Sequence, residues 1–354
     1  MLRFIDDNRQ FPVFTQLATE SGLTAHQDEQ RTVKILDWQQ ASDEDPTLPP
    51  QIRHVEVTSL FTGLEPALRV IFAPLDIPSA ATIQTINALM SHYSIPPAFL
   101  TERLQSVTRA YGRREFGNKR QGSWFHVLCK NINVEVDPRG IYRIVDPRKD
   151  FPTLSQSEGT WIRQAFFLSW GPGRGAETNT TLICFGAHPE LEKRLEYLAL
   201  HPSWTECVRS PFTMFVIVLD ELFQVLDHQV WTVSDVFRDI EMKILRRAEA
   251  WDPGSQFDFV GLHNISKHIT HLVESANALV YTADDIHIHS KELASPLDPA
   301  SIQRTSIEIE YQKRLLQSVT LRLASLEKRV QNIVNLVIRL HMIPHPAKEL
   351  TSSL

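Results

Sequence analysis

From about Ser301 to His341 the chain places an apolar residue at every third or fourth position: Leu316, Val319, Leu323, Leu326, Val330, Ile333, Val337 and Leu340. Ile309 continues the phase backwards through the polar Gln312. This is a heptad seam, and it commits the whole stretch to one helix. With the seam at a and d, Leu315 and Leu336 fall at g and Val334 at e. The apolar stripe is then wider than one partner helix covers, so the helix must bury itself against several neighbours.

A second segment has the same rhythm. Leu262, Ile265, Ile269, Leu272, Ala276, Leu279, Ala283 and Ile286 repeat the spacing, and Ala294 to Ala300 carries two prolines that no helix interior holds. Two long helices joined by a short break predict an antiparallel hairpin. An ordinary helical bundle core accounts for the periodicity equally well.

The chain has 354 residues, 42% of them hydrophobic and 22% charged, enough for a sizeable core and for two domains. A net charge of -6 excludes a whole-surface nucleic-acid binder, though not a local basic patch. The scattered cysteines Cys129, Cys184 and Cys207 form no CxxC and read as reduced, buried residues of an intracellular protein. Arg3, Asp6, Asp7 and Arg9 interrupt any apolar core of an export signal. The most apolar run, Phe212 to Leu219, stops at Asp220-Glu221, well short of the ~18 residues a membrane span needs. A soluble, cytoplasmic chain is expected.

Taken in order, residues 1–51 are weakly patterned, with a short helix at Phe11 to Leu17 and a strand at Val33 to Trp38. His54 to Phe61 and Ala67 to Phe72 read as strands. Ser79 offers an N-cap to one helix, and Pro96-Pro97 opens another through Val107. Strands are expected at Ser123 to Val134, at Gly140 to Val145, and at Trp161 to Trp170 paired with Thr180 to Phe185, then a helix from Pro189 to Leu200. From Pro211 to Ala250 a helical phase runs through Phe215, Leu219, Leu222, Leu226, Val233, Val236, Ile240 and Ile244, as one helix or two abutting ones. The fold class is therefore α+β: a mixed sheet flanked by helices over residues 52–210, a long-helix stalk over 211–341 and a short tail over 342–354.

At this point the order of parts resembles a known family. The run from Asp76 to Leu104 is similar to the helix pair in the cytosolic domain of CorA-type magnesium channels, with Leu100-Thr101-Glu102 where that family has an acidic Leu-Glu-Asp segment. The strands Trp124 to Leu128 and Thr181 to Phe185 and the helix Asp220 to Leu226 follow in the family's order. Gly122 to His126, Leu182 to Gly186 and Phe259 to His268 look most like divergent fungal CorA-like magnesium transporters. The resemblance covers about residues 52–340, and the colinear order carries it.

The resemblance implies a domain related to metal-ion transport that is not an enzyme. In the family, magnesium held between neighbouring subunits by carboxylates stabilises the closed state. It implies Glu102 as one such carboxylate, with Glu308 or Glu310 at the start of the stalk as its partner. Magnesium keeps most of its water and needs only one or two carboxylates, so a loosely spaced pair suffices. The implied partners are copies of the chain itself or full-length CorA-like subunits joined through the seam, and through them a membrane. The family's two membrane helices and Gly-Met-Asn motif do not follow the stalk, where Leu340-His-Met-Ile-Pro-His-Pro346 stands instead. Without a pore no ion is conducted, and a natural soluble derivative and an incomplete copy both fit. An accessory protein or enzyme of another pathway that reuses the fold is the alternative.

Other groupings have plain readings. Trp170-Gly-Pro-Gly-Arg-Gly175 lacks the Gly-Lys-Ser/Thr ending of a phosphate loop and reads as a hairpin turn. His263, His268, His271, His287 and His289 include a pair at ligand spacing but read as solvated or capping groups. Arg103, Arg109, Arg113, Arg114, Lys119 and Arg120 read as a charged loop making ordinary ion pairs. No nucleophile elbow or His-Glu-x-x-His is present, and no close carboxylate pair is set in an obvious pocket.

Overall fold

The computed structural model describes residues 32–38, 50–62, 65–75, 80–104, 111–116, 119–149, 154–172, 178–250, 257–292 and 299–342. The helix expected at Phe11 to Leu17 and the loop from Gly173 to Gly175 lie outside them. The chain forms two compact units. One draws on Met1–Leu128, Ile162–Leu222 and Ala278–Arg314, the other on Cys129–Trp161, Phe223–Asn277 and Leu315–Leu354.

The first unit is built on a sheet. Its strands are β1 (Thr32–Trp38), β2 (Gln51–Glu56), β3 (Leu68–Ala73), β4 (Tyr111–Glu115), β5 (Gln121–Asn131), β8 (Thr160–Pro172) and β9 (Thr178–Phe185), in the order β2-β1-β3-β9-β8-β5-β4. The sheet is mixed: β3 runs parallel to β9, while β1 is antiparallel to both β2 and β3, and β8 to β9. Every residue of β3 is buried, which is why Leu68-Arg-Val-Ile-Phe-Ala73 reads as an almost unbroken apolar run.

The strand period of two sorts side chains onto two faces. Ile35, Ile71, Ile183, Phe185 and Phe167 pack with Ile86 and Leu89 of α1 (Ala80–His92) and Phe99 of α2 (Pro97–Leu104). Phe125 meets Phe215 at 5.1 Å and Trp170 meets Phe212 at 5.1 Å, against the start of α5 (Thr213–Ala250). Two short helices precede it, α3 (Pro189–Leu198) and α4 (Trp204–Arg209), the first with a proline in its opening turn and the His188 imidazole accepting from the Glu190 amide.

Two expectations are corrected here. The strand of His54 to Phe61 ends at Glu56, because Val57 and Leu60 turn inward on a 3-10 turn, Val57–Phe61. Arg113 and Arg114 are not in a loop: they lie on β4, paired with β5 at the end of the strand order. Charge on such a strand blunts edge-to-edge pairing.

The long helices follow as expected: α5, α6 (Phe259–Glu292) and α7 (Pro299–Met342). The stretch from Pro211 gives one helix from Thr213 to Ala250, and Pro299 occupies the first position of α7, where its missing N–H costs nothing. In the first unit Lys313 reaches Asp284 at 2.7 Å and His287 Nδ1 lies 3.0 Å from the Ser306 carbonyl, so α6 and α7 run antiparallel. Gln312, the polar member of the seam, donates to Asp220 on α5 at 3.0 Å.

The second unit comprises the later halves of α5 and α7, the first half of α6 and the antiparallel hairpin of β6 (Asn133–Val136) and β7 (Tyr142–Val145). Leu316, Val319, Leu323, Leu326, Val330, Ile333 and Val337 are all buried, as are Leu262, Ile265, Ile269 and Leu272. Arg322 pairs with Asp227 and lies over Trp231 at 4.7 Å, while Arg329 pairs with Glu241. The seam is therefore consumed inside the chain, which corrects the expectation that it joins subunits. Among the described residues no helix is long and apolar enough to cross a membrane.

Candidate functional site

Of the sequence-derived carboxylates, Glu102 falls on α2, one turn after Phe99, which anchors that helix 5.1 Å from Phe185. The Glu102 side chain lies outside the described ones. Glu308 and Glu310 sit in the first third of α7, two residues apart and therefore on different faces.

Their surroundings differ. Glu310 is half-buried, 3.3 Å from Arg314 Nε, 3.7 Å from Lys313 Nζ and 4.0 Å from His287 Nε2. Lys313 also holds Asp284, whose hydrogen bond helps to raise the ammonium pKa above its ordinary value. A cation arriving at Glu310 would have to displace basic groups. Glu308 is exposed, as are Ile307 and Tyr311, which are 59% and 54% accessible. Of the two, Glu308 fits a hydrated divalent cation better.

No group of three or more His, Cys, Asp or Glu among the described residues is arranged to hold a metal ion within one chain. Magnesium does not demand such a cage, because it retains waters around one or two carboxylates.

The histidines do not gather. His263 is exposed, His271 meets Glu274 at 3.2 Å and the Trp161 ring edge-on at 5.0 Å, and His289 stacks on Tyr111 at 5.1 Å. His268 overturns its solvated reading: it is 2% accessible, with Nε2 2.8 Å from the Gln156 carbonyl and Nδ1 without a hydrogen-bond partner among the described residues. Burial lowers its pKa to about 4, and Lys130, His271 and Lys267 add to the effect. Lys130, itself buried, donates to the Gly159 carbonyl at 3.3 Å and lies over the Trp161 ring at 4.9 Å. The helix phase held the signal, since His268 follows Ile265 by three and precedes Leu272 by four.

The remaining groupings are structural. Arg113 pairs with Glu292, and Arg120 lies 3.1 Å from Glu65; Arg109 lies outside the described residues, as does the side chain of Arg103. The three cysteines are free and buried, and burial pushes the Cys129 and Cys207 thiols up to about 12. Thiols so far from ionising are poor nucleophiles.

No family profile and no curated protein matches the chain. Among solved structures it is similar to the complete CorA magnesium transporter of Methanocaldococcus jannaschii, at 11% identity and a TM-score of 0.48, over 87% of this chain and 77% of that one. It is similar also to the soluble domain of that CorA, at 9% identity and 0.46, over 88% and 98%. The cytoplasmic domain of ZntB from Vibrio parahaemolyticus aligns at 9% identity and 0.39, over 87% and 99%.

Proposed function

We propose that this chain is a CorA-like module related to metal-ion transport, which binds a divalent cation, magnesium foremost, and assembles with copies of itself or with full-length subunits of its kind. The observation that carries the reading is the setting of Glu308: an exposed carboxylate near the start of α7, on a helix that also exposes the apolar side chains of Ile307 and Tyr311. The colinear order of segments over about residues 52–340 supports it.

Each part has a physical role. Apolar contact at Ile307 and Tyr311 would supply association energy, at about 25 cal/mol per Å² of area removed from water. Carboxylates brought together between negatively charged copies would repel, and Glu308 of one copy with Glu102 of its neighbour would hold the cation that relieves this. When bound, magnesium supplies charge neutralisation between subunits. Glu310, committed to Lys313 and Arg314, orders the surface beside it.

The test is a thermal-shift titration with magnesium on the full chain and on Glu102→Ala, Glu308→Ala and Glu310→Ala. A cation at about one hundred times its Kd stabilises by about 2.7 kcal/mol. The first two variants lose this gain and the third keeps it; full retention in Glu308→Ala refutes the site.

A further inference from the structure

A cavity of about 500 Å³ opens within the second unit, between β7, the turn at Leu154 to Gln156, the last turns of α5 and the entry to α6 at Phe257-Asp258. That volume is within the range of about 300–1,000 Å³ typical of small-molecule sites. None of the lining residues belongs to the proposed cation site.

Its floor is apolar. Ile144, Ile240 and Ile244 line it and are at most 9% accessible. Phe257 and Leu154 extend the apolar lining, and Leu154 leaves 58% of its surface in water. A guest that covers such a side chain gains about 25 cal/mol per Å² of apolar area removed from water.

The charged groups around this floor are spent on the protein itself. Lys243 donates to Asp239, one turn before it on α5, and Arg143 lies 3.5 Å from Asp137. Asp258 caps α6, accepting from the Gly261 amide at 2.7 Å and from the Ser155 hydroxyl. Arg247 is engaged as well, and its guanidinium lies over the Phe257 ring at 5.9 Å. Arg143, Lys243 and Arg247 thus stand among Asp137, Asp239 and Asp258, three charges of each sign, and the surroundings carry no net charge. A charged guest would give up its water without finding an opposite charge to spare, which is costly. An uncharged guest has no such cost. Lys243 carries three N–H donors and gives one to Asp239, so its ammonium still has donors to offer an uncharged oxygen.

The wall is fixed before any guest arrives. Gln156 holds a left-handed backbone, φ 55°, which is unusual for a side chain other than glycine. Its carboxamide accepts from the Ile144 amide at 2.8 Å and donates to the Tyr142 carbonyl at 3.1 Å, and its own carbonyl lies 2.8 Å from His268 Nε2. Asn264 donates to the Ser155 carbonyl at 2.8 Å. A wall held by this many contacts spares a guest the cost of ordering it.

We propose that this cavity binds an uncharged, mainly apolar small molecule, with its body on the isoleucine floor and an alcohol or carbonyl oxygen at the rim beside Lys243.

The probe is N-phenyl-1-naphthylamine, an uncharged aromatic amine that fluoresces in apolar surroundings, titrated into the full chain. It binds saturably at one site per chain, and octan-1-ol displaces it. Octanoate and octylammonium, of equal chain length, displace it at least about tenfold more weakly. Ile244→Trp fills the floor and weakens the probe by about tenfold or more. Displacement by either ion equal to that by octan-1-ol overturns the proposal and needs no variant. So does fluorescence that fails to saturate, or unchanged affinity in Ile244→Trp with native circular dichroism.

Discussion

Arg69 grips the fully buried carboxylate of Asp37 with two hydrogen bonds, Nε at 2.7 Å and Nη2 at 2.9 Å, across the paired strands β1 and β3. Arg53 adds a third contact to the same carboxylate at 2.7 Å, and Arg69 also donates to the Leu60 carbonyl at 3.1 Å. Removing one partner of such a pair leaves a charge without compensation, a loss of about 3–5 kcal/mol. Asp37→Ala is therefore expected to lower the urea midpoint of unfolding by that equivalent. A loss below ~1 kcal/mol would show that water replaces the pair.

The seam makes a sharper comparison between near neighbours. Leu323 is fully buried, whereas Leu321, two residues earlier, is 73% accessible. Leu323→Ala should cost about 2–5 kcal/mol through lost burial and the cavity left behind. Leu321→Ala should change stability by no more than about 0.5 kcal/mol. Equal losses in denaturant titrations would mean the helix is rotated from the orientation described.

His268 predicts a pH dependence. Its folded pKa, about 4, lies below its ordinary 6.5, so between those values the unfolded chain binds the proton and the folded chain does not. The stability linked to it is complete above about pH 6.5 and is lost as pH falls through about 4. At about 1.4 kcal/mol per pH unit this amounts to roughly 3–4 kcal/mol. His268→Gln should flatten the stability profile across that window, as measured by denaturation at stepped pH; a wild-type profile in the variant would assign the effect to other groups.

Gly186 closes β9 with φ 63°, its amide donating to the Ala73 carbonyl at 2.8 Å. A Cβ there would meet the Arg163 carbonyl oxygen and Leu75 Cβ, each at 2.8 Å. Gly186→Ala combines a left-handed backbone with contact against main chain, a cost of about 1–3 kcal/mol. Thermal unfolding reads it directly, and an unchanged midpoint would show that the turn has another conformation open to it.

Much of this architecture was legible because it is periodic. The phases of α5, α6 and α7 stand in the spacing of Phe215, Leu262 and Leu316 with their successors, and the buried residues are those the spacing names. Paired β8 and β9 were legible from β-branched and aromatic runs. Tyr111-Gly-Arg-Arg-Glu115 concealed a strand because its residues are only half-buried or exposed, which leaves no alternation to read. The use of the seam inside the chain was not legible, since a stripe wider than one helix does not say whose helices cover it.

If magnesium joins copies of this chain through Glu308, as proposed, sedimentation equilibrium will register it as a change of mass. Wild-type chain should gain mass to a multiple of 40.5 kDa when magnesium is added and return when it is chelated, while Glu308→Ala stays at its metal-free mass throughout. A wild-type mass that is the same with and without magnesium would rule out a magnesium-dependent association.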